Sequence, residues 1–407
     1  MGKLPLEGVR VVDFTQIQAG PQATIWLAAL GAEVIKIESN KRPDMLRTYF
    51  QLQTSSDDPS LNKSTHFAFL NYSKKGCTLN LTNPRAIEIA KELVKVSDVV
   101  AENFSVGVME RLGLDYATLQ AIKPDLIMLS ISGFGNTGPD KDHVAYAAMI
   151  HAFSGLASLT GYIGGDPTPS MGPFWSDKIA AQTGAFAVMV ALHHRAMTGE
   201  GQYLDLSMSE ATLAVLPEAV MDYTMNQIIR EPKGNREDFM APCGCYHCQG
   251  EDEWVAIAVA NDEEWNALCG AMGNPEWARE ERFSDQISRC RNQDALDVFI
   301  QEWTVNRGAY EVMEILQKAG VAAGPSVNVE QLANDPHLKE RGFFVEMDHP
   351  EMGKGLLPRV PGKPIPTPIG NFHPAPSIGQ HNDYVLRELL GIPEDEIARL
   401  VEDGAIY

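Results

Sequence analysis

The chain is short of three things. It has only six cysteines in 407 residues, at positions 77, 243, 245, 248, 269 and 290. Spread that thinly they form no disulfide framework of the kind that staples small secreted domains. The opening "MGKLPLEGVRVVDF" carries no secretory signal pattern, so a cytoplasmic location is expected. Long apolar runs are also missing: none approaches the roughly 18 to 20 residues that span a bilayer, so no membrane partner is expected. Positive charge is scarce as well, with 33 Lys and Arg against 54 Asp and Glu, a net charge of −21. A phosphate backbone demands a basic face, so broad nucleic-acid binding is excluded. A small polyanionic ligand held by a few local cations is not.

What is there fits a globular protein, with 44% hydrophobic and 21% charged residues. The length predicts two or three units rather than one. "GVRVVDF" (8–14) reads as a buried strand, "GPQATIWLAALGA" (20–32) as a helix from Pro21 to Gly31, and "EVIKIE" (33–38) as a second strand. Short loops between them make a βαβ unit and hence a parallel sheet. The alternation continues with a helix at 83–97, an extended segment at 98–104, a helix at 116–123 and a strand at 125–135 that runs into glycines. A turn, a strand and a helix fill 198–216. The texture then changes to a smaller α+β region at about 225–325, followed by a Pro- and Gly-rich, loop-like return over 342–377 and a helical end over 381–404.

Several motifs invite chemistry. "GFGNTG" (133–138) matches G-x-G-x-x-G after a strand, but Pro139 and "DKDH" follow where a dinucleotide site needs a helix, so a nicotinamide oxidoreductase is the weaker reading. "CGCYHC" (243–248) holds one C-x-x-C and His247 with no second ligand pair, which leaves buried thiols beside a strand as the plainer reading and metal: none as the expectation. His193 and His194 sit late in a long helix, where the helix dipole favours them. His143 and His151 lie near the glycine loop as possible bases. Lys36, Lys41, Arg42, Arg47, Lys74, Lys75 and Arg111 recur after successive strands, where open α/β sheets bind ligands. In "GPFWSDKIAAQTGAFAVMVALHH" (172–194), Asp177 stands between two bulky aromatics and a small, apolar helix. Asp is a favoured N-cap, so the local reading of Asp177 is a cap.

Taken together, "PLEGVRVVDFTQIQAGPQATIWLAALGAEVIKIE", "NYSKKGCTLNL", "VVAENFSVGVMERLGLDYATLQAIKPDLIMLSISGFGNTGP", "TGEGQYLDLSMSEA", "AGVAAGPSVNVEQLANDPHLKERGFF" and "HNDYVLRELLG" resemble the family III CoA-transferases nearly end to end. The resemblance implies an α/β fold: a Rossmann-like large domain with a parallel sheet and a smaller α+β domain, in an interlocked dimer with the active site at the interface. The expected division is 1–224 for the large CoA-binding domain, 225–325 for the small domain and 326–407 for a return segment that completes the large one. By motif, Asp177 falls on the family's catalytic aspartate and Gln18 on a glutamine near the reacting thioester. Ile17, Asn103, Phe104 and Arg111 fall on positions lining the CoA site, with Lys74 and Lys75 beside it. No prosthetic group is implied; coenzyme A thioester is a substrate, with succinyl-CoA a candidate donor, and a carboxylic acid is the acceptor.

Such an aspartate works by covalent catalysis. It attacks the acyl-CoA carbonyl, and anhydride and aspartyl-CoA intermediates follow, with Phe174 and Trp175 keeping water away. Departures from the family pattern matter too. Tyr146 and Ala147 stand where the neighbouring racemase branch needs a His-Asp pair, which speaks against racemisation. Ala147 also removes an auxiliary acid, so a heteromer with a paralogous subunit, in which this chain is the weaker member, is the alternative to a homodimer. Ser105 replaces an Arg or Lys. The glycine-run loop of formyl-CoA transferase is not evident at 225–250. Ala145, Ala147 and Ala148 leave room for a larger acceptor.

Overall fold

The computed structural model describes residues 3–48, 60–165, 174–362, 367, 370 and 372–407. Gly172 and Pro173, just before the helix of Asp177, lie outside the described residues. The chain divides into two units: Met1–Ala157, Met171–Ile229 and Gly342–Tyr407 make the first, and Ser158–Ser170 with Arg230–Arg341 the second.

The first unit is built on six strands: β1 (Arg10–Asp13), β2 (Glu33–Glu38), β3 (Lys75–Thr78), β4 (Val99–Glu102), β5 (Ile127–Ser132) and β6 (Gln202–Ser207). Their order is β3-β2-β1-β4-β5-β6, and every pairing is parallel, with Val11 opposite both Val34 and Val99. Both faces are covered by helices, which is why the strands read as nearly unbroken β-branched runs rather than alternating ones. Successive side chains part to opposite faces. Val12, Ile35, Val100 and Met128 pack with Ala86, Ile89 and Leu93 of α2 (Pro84–Lys95). Val11, Val34, Val99 and Leu129 pack with α1 (Ala19–Ala29) and the long helix Trp175–Thr198. Truncating fully buried Leu93 to Ala in such a layer costs about 2 to 5 kcal/mol.

Local signals set the ends. Asn83 caps α2 by accepting the Arg85 N–H at 2.9 Å, with Pro84 in its first turn. α1 runs Ala19–Ala29, a little earlier than the expected start at Pro21. The long helix carries Ala180, Ala181, Gly184 and Ala185 against the sheet; a Cβ on Gly184 would stand 3.2 Å from Leu129, so small residues set how closely it approaches.

The expected loop at 342–377 is in part a hairpin, β10 (Phe344–His349) with β11 (Gly353–Pro358), antiparallel from Phe344 opposite Pro358 to His349 opposite Gly353. Its buried Met347 and His349 alternate with exposed Glu346 and Asp348, a strand period hidden by the surrounding prolines and glycines. Beyond it the chain covers the outer edge of β3. The Gly76 carbonyl accepts the His381 N–H at 2.9 Å, and Asn382 Oδ1 accepts the Thr78 N–H at 2.8 Å. A covered edge cannot template pairing with another chain.

The second unit holds an antiparallel sheet, β7 (Cys243–His247), β8 (Trp254–Ala258) and β9 (Ala322–Ser326), in that order. Trp265, Phe283, Leu296 and Val312 fill its core. "CGCYHC" is thus strand rather than the approach to one. Tyr246 and Cys248 are buried, Cys243 is half-buried and Cys245 exposed, so the expectation of buried thiols holds only in part. All six cysteines are free, and among the described residues no group of His, Cys, Asp or Glu is placed to hold a metal ion. Nor, among them, is any helix long and apolar enough to cross a membrane.

Candidate active site

Strand order reverses between β1 and β4, the place beyond the carboxyl ends of the strands where open α/β sheets bind ligands. Two loops border it, residues 14–18 after β1 and 103–107 after β4. Asn103 ties them together: its Oδ1 accepts the Gln16 N–H at 2.7 Å and its Nδ2 donates to the Gln16 carbonyl at 2.9 Å. Gly20 allows the close approach, since a Cβ there would stand 2.4 Å from Thr15 Cβ and 3.1 Å from Asn103 Cγ. Phe104 lies half-buried against the sheet core, its N–H donating to Glu102 at 2.8 Å.

Gln18 is the N-cap residue of α1 and makes no side-chain capping bond. Asp177 meets the helix at this point: the backbone N–H groups of Ala19 and of Asp177 itself face its carboxylate and favour its ionised form. One carboxylate therefore sits in the first turn of its own helix and against the first turn of α1. Burial pushes its pKa up to about 6, against the pull of those two N–H groups and of the Lys178 ammonium. At neutral pH it is mostly ionised and still poorly solvated.

Asp177 is not the N-cap. The helix starts at Trp175, behind Phe174 in the left-handed conformation (φ 50°, ψ 50°) without a side-chain cap, and Asp177 occupies its third position. Free N–H groups of the first turn are met differently. Buried His151, on the helix Ala147–Phe153, accepts the Ser176 N–H on Nε2 at 3.1 Å, so that nitrogen carries no proton and His151 serves as the cap rather than as a base. His143 is exposed, 3.6 Å from Asp140. Phe174 and Trp175, expected to shield the carboxylate, are 51% and 52% exposed, and Trp175 lies 5.2 Å from the Lys178 ammonium. Within this chain their rings cover little.

The cations divide sharply. Lys74 is fully buried, donating to Asp13 at 2.9 Å, Asn71 Oδ1 at 2.9 Å and the Pro21 carbonyl at 3.0 Å. All three ammonium protons are engaged, so Lys74 anchors α1 from beneath rather than presenting charge to a ligand. Lys36 is equally enclosed, on Asp44 and the Thr15 carbonyl, and Arg47 grips Glu38 with two bonds of 2.8 and 2.7 Å. Lys75, by contrast, lies 4.1 Å from the Tyr384 ring, half-buried, and Arg111 is exposed with its guanidinium over Gly107. Lys41 and Arg42 are exposed too. Asp44 and His151 were the residues whose roles sequence reasoning missed. An Asp six residues past the end of β2 has no periodic signature, although the basic residues flanking Asp44 drew notice.

The glycine loop opens no helix. Asn136 donates its backbone N–H (2.9 Å) and its amide (2.9 Å) to Asp205, closing "GFGNTG" as a turn. Tyr146 is the exposed N-cap residue of the next helix, and buried Ala147 follows.

The site thus defined is a doubly wound parallel sheet with a half-buried carboxylate in the first turn of a long helix, beside the start of α1. Comparison with known proteins sharpens this. CoA-transferase family III matches residues 6–382. The chain is 33% identical over 396 residues to a succinyl-CoA–D-citramalate CoA-transferase of Chloroflexus aurantiacus, covering 97% of this chain and 96% of that one. It is 36% identical over 402 residues to the alpha subunit of a succinyl-CoA–L-malate CoA-transferase of the same organism, covering 98% and 92%. The crystal structure of a CaiB/BaiF family protein from Brucella suis superposes with a TM-score of 0.85 at 30% identity, covering 96% of this chain and all of that one. The chain belongs to CoA-transferase family III. It is an acyl-CoA:carboxylate CoA-transferase.

Proposed function

We propose that the chain moves CoA from an acyl-CoA donor, succinyl-CoA by analogy with its relatives, to a carboxylic acid, with Asp177 as nucleophile. The observation that carries this is the Asp177 carboxylate in the first turn of the long helix, facing the start of α1 beside the strand-order reversal. The ionised carboxylate attacks the thioester carbonyl, forming an aspartyl–acyl anhydride and expelling CoA thiolate. The thiolate attacks the aspartyl carbonyl, giving aspartyl-CoA thioester and the first free acid. A second carboxylate attacks that thioester, expelling CoA thiolate and forming a second aspartyl–acyl anhydride; the thiolate then attacks the acceptor's acyl carbonyl, giving the new acyl-CoA and restoring the Asp177 carboxylate. No net proton, water or electron is consumed. The Ala19 N–H that faces the carboxylate is placed to hold the aspartyl carbonyl oxygen as it becomes an oxyanion.

Gln18, beside Ala19, orients the thioester. Ile17, Asn103 and Phe104 line the CoA crevice, and Lys75 and Arg111 supply charge to its phosphates, while Lys74 acts from below. Exposed Phe174 and Trp175 support assembly with a second chain, a homodimer or a paralogous subunit, that would cover them. The second reading, a weak subunit of a heteromer, is favoured by Ala147 in place of an acid and by the relative that is an alpha subunit. Assay of the purified chain alone separates the two: exchange from succinyl-CoA to a panel of hydroxy acids supports the first, and exchange only after adding a paralogue supports the second. Asp177→Asn that still exchanges at the wild-type rate overturns the nucleophile in either case.

A further inference from the structure

Ile17 is a β-branched residue at φ 65°, a region such side chains rarely occupy. Backbone of this kind persists only where its surroundings over-determine it. Here both Asp44 carboxylate oxygens accept the Ile17 N–H, at 3.3 and 3.2 Å, and Oδ1 also accepts the Leu46 N–H at 3.0 Å. Asp44 is itself fixed by Lys36 at 3.1 Å, with neither side chain exposed. Lys36 donates as well to the Thr15 carbonyl at 2.8 Å. One buried ion pair thus holds the loop at two points, two residues apart.

The rest of the loop is tied as closely. Asp13 accepts the Thr15 N–H and hydroxyl, the Thr24 hydroxyl and the Lys74 ammonium. Asn103 fixes Gln16. After Ile17 the next residue is Gln18, and the one after that is Ala19, the first residue of α1, whose N–H faces Asp177. Four fully buried charges are an inefficient source of stability, since apolar packing of the same volume is often as good or better. What this set does supply is one fixed geometry for the start of α1.

We infer that Asp44 is a positioning residue of the transfer reaction: locked to Lys36, it holds Ile17 left-handed and so aims the Ala19 N–H at the Asp177 carboxylate. Its catalytic consequence rests on the reading of Asp177 as nucleophile; its geometric part does not. The groups facing Asp177 are Lys178 on its own helix and the Ala19 N–H of α1, with His151 bound one residue away at Ser176.

The test uses the full chain as Asp44→Ala, Asp44→Asn, Ile17→Gly and the Asp44→Ala/Ile17→Gly double variant. Asp177 is titrated by infrared difference spectroscopy against Asp177→Asn, and CoA exchange is measured beside it. In Asp44→Ala the Asp177 midpoint should move above its value of about 6, because a hydrogen bond that favours the ionised form is lost. Its kcat should fall about tenfold or more. Glycine at 17 occupies the left-handed region without a penalty, so the double variant should recover much of both. Asp44→Asn, whose amide oxygen still accepts from Ile17, should fall between and serves if Asp44→Ala does not fold. An unmoved midpoint in a folded Asp44 variant, or a shift that glycine fails to reverse, overturns the inference. An Asp177→Asn protein with full activity overturns the nucleophile instead, and leaves the titration result standing.

Discussion

Two groups of cations lie close together in the sequence and meet opposite fates. Lys36, Arg47 and Lys74 are buried, each spent on a carboxylate and a backbone carbonyl. Lys41, Arg42 and Arg111 are exposed, and Lys75 is half-buried over an aromatic ring. The difference is one of solvation. An enclosed ammonium without a partner is prohibitively costly, so burial enforces pairing and turns the charge into a structural joint. An exposed one costs little to leave unpaired and stays available to a phosphate. Asp13 shows the joint from the acid's side. Burial alone would raise its pKa, yet Lys74, Lys36 and two hydroxyls together hold it below the usual carboxylate value.

Breaking each group should therefore look different. The largest effect belongs to the proposed nucleophile: Asp177→Ala should lower exchange by about 10³-fold or more in a steady-state assay, with the fold retained by circular dichroism. Next comes Lys74→Ala, which leaves Asp13 unpaired in the core. It should lose about 3 to 5 kcal/mol in urea unfolding. Arg111→Ala should leave unfolding unchanged and raise the KM for acyl-CoA about tenfold or less, an effect that fades as salt rises. Equal stability losses for Lys74→Ala and Arg111→Ala would erase the distinction.

A subtler outcome concerns pH. The Asp177 pKa is raised on folding, from an ordinary value near 3.8 to about 6. Its protonated form is thus the one folding favours: the contribution is fully present below the unfolded value and lost as pH rises through about 6. Asp177→Asn should accordingly be more stable than the native chain at pH 7 to 8, by about 1 to 2 kcal/mol after allowing for the carboxylate's partial exposure, and lose that gain near pH 4. Activity should run the other way, falling as pH drops below about 6. The smallest effect is expected at Cys245, exposed on β7: Cys245→Ser should change stability by less than about 0.5 kcal/mol and leave exchange intact.

The sheet was legible because its strands are buried on both faces: "EVIKIE" reads as strand and is strand, Glu33–Glu38. Helix α2 was legible from Asn83, Pro84 and its period. Less was visible where tertiary contacts decide. Composition marked 342–377 as loop, and only pairing with β11 reveals the alternation in "FVEMDH". Asp177 looked like a cap because Asp often is one, whereas left-handed Phe174 and distant His151 begin the helix in fact. Lys74 and Lys75 are neighbours of identical chemistry, yet Lys74, just before β3, is buried on Asp13 while Lys75, the first residue of β3, lies half-buried by the Tyr384 ring. Asp44 gains its meaning only from Lys36 and Ile17, brought to it by the fold.

The most direct measurement is chemical trapping of the intermediate. The native chain is incubated with an acyl-CoA donor, treated with hydroxylamine or borohydride, digested, and the modified residue found by mass spectrometry. The account predicts a single hydroxamate or alcohol at Asp177, dependent on the donor and absent from Asp177→Asn. Modification at another residue, or donor-dependent exchange with Asp177 unmodified, would contradict it.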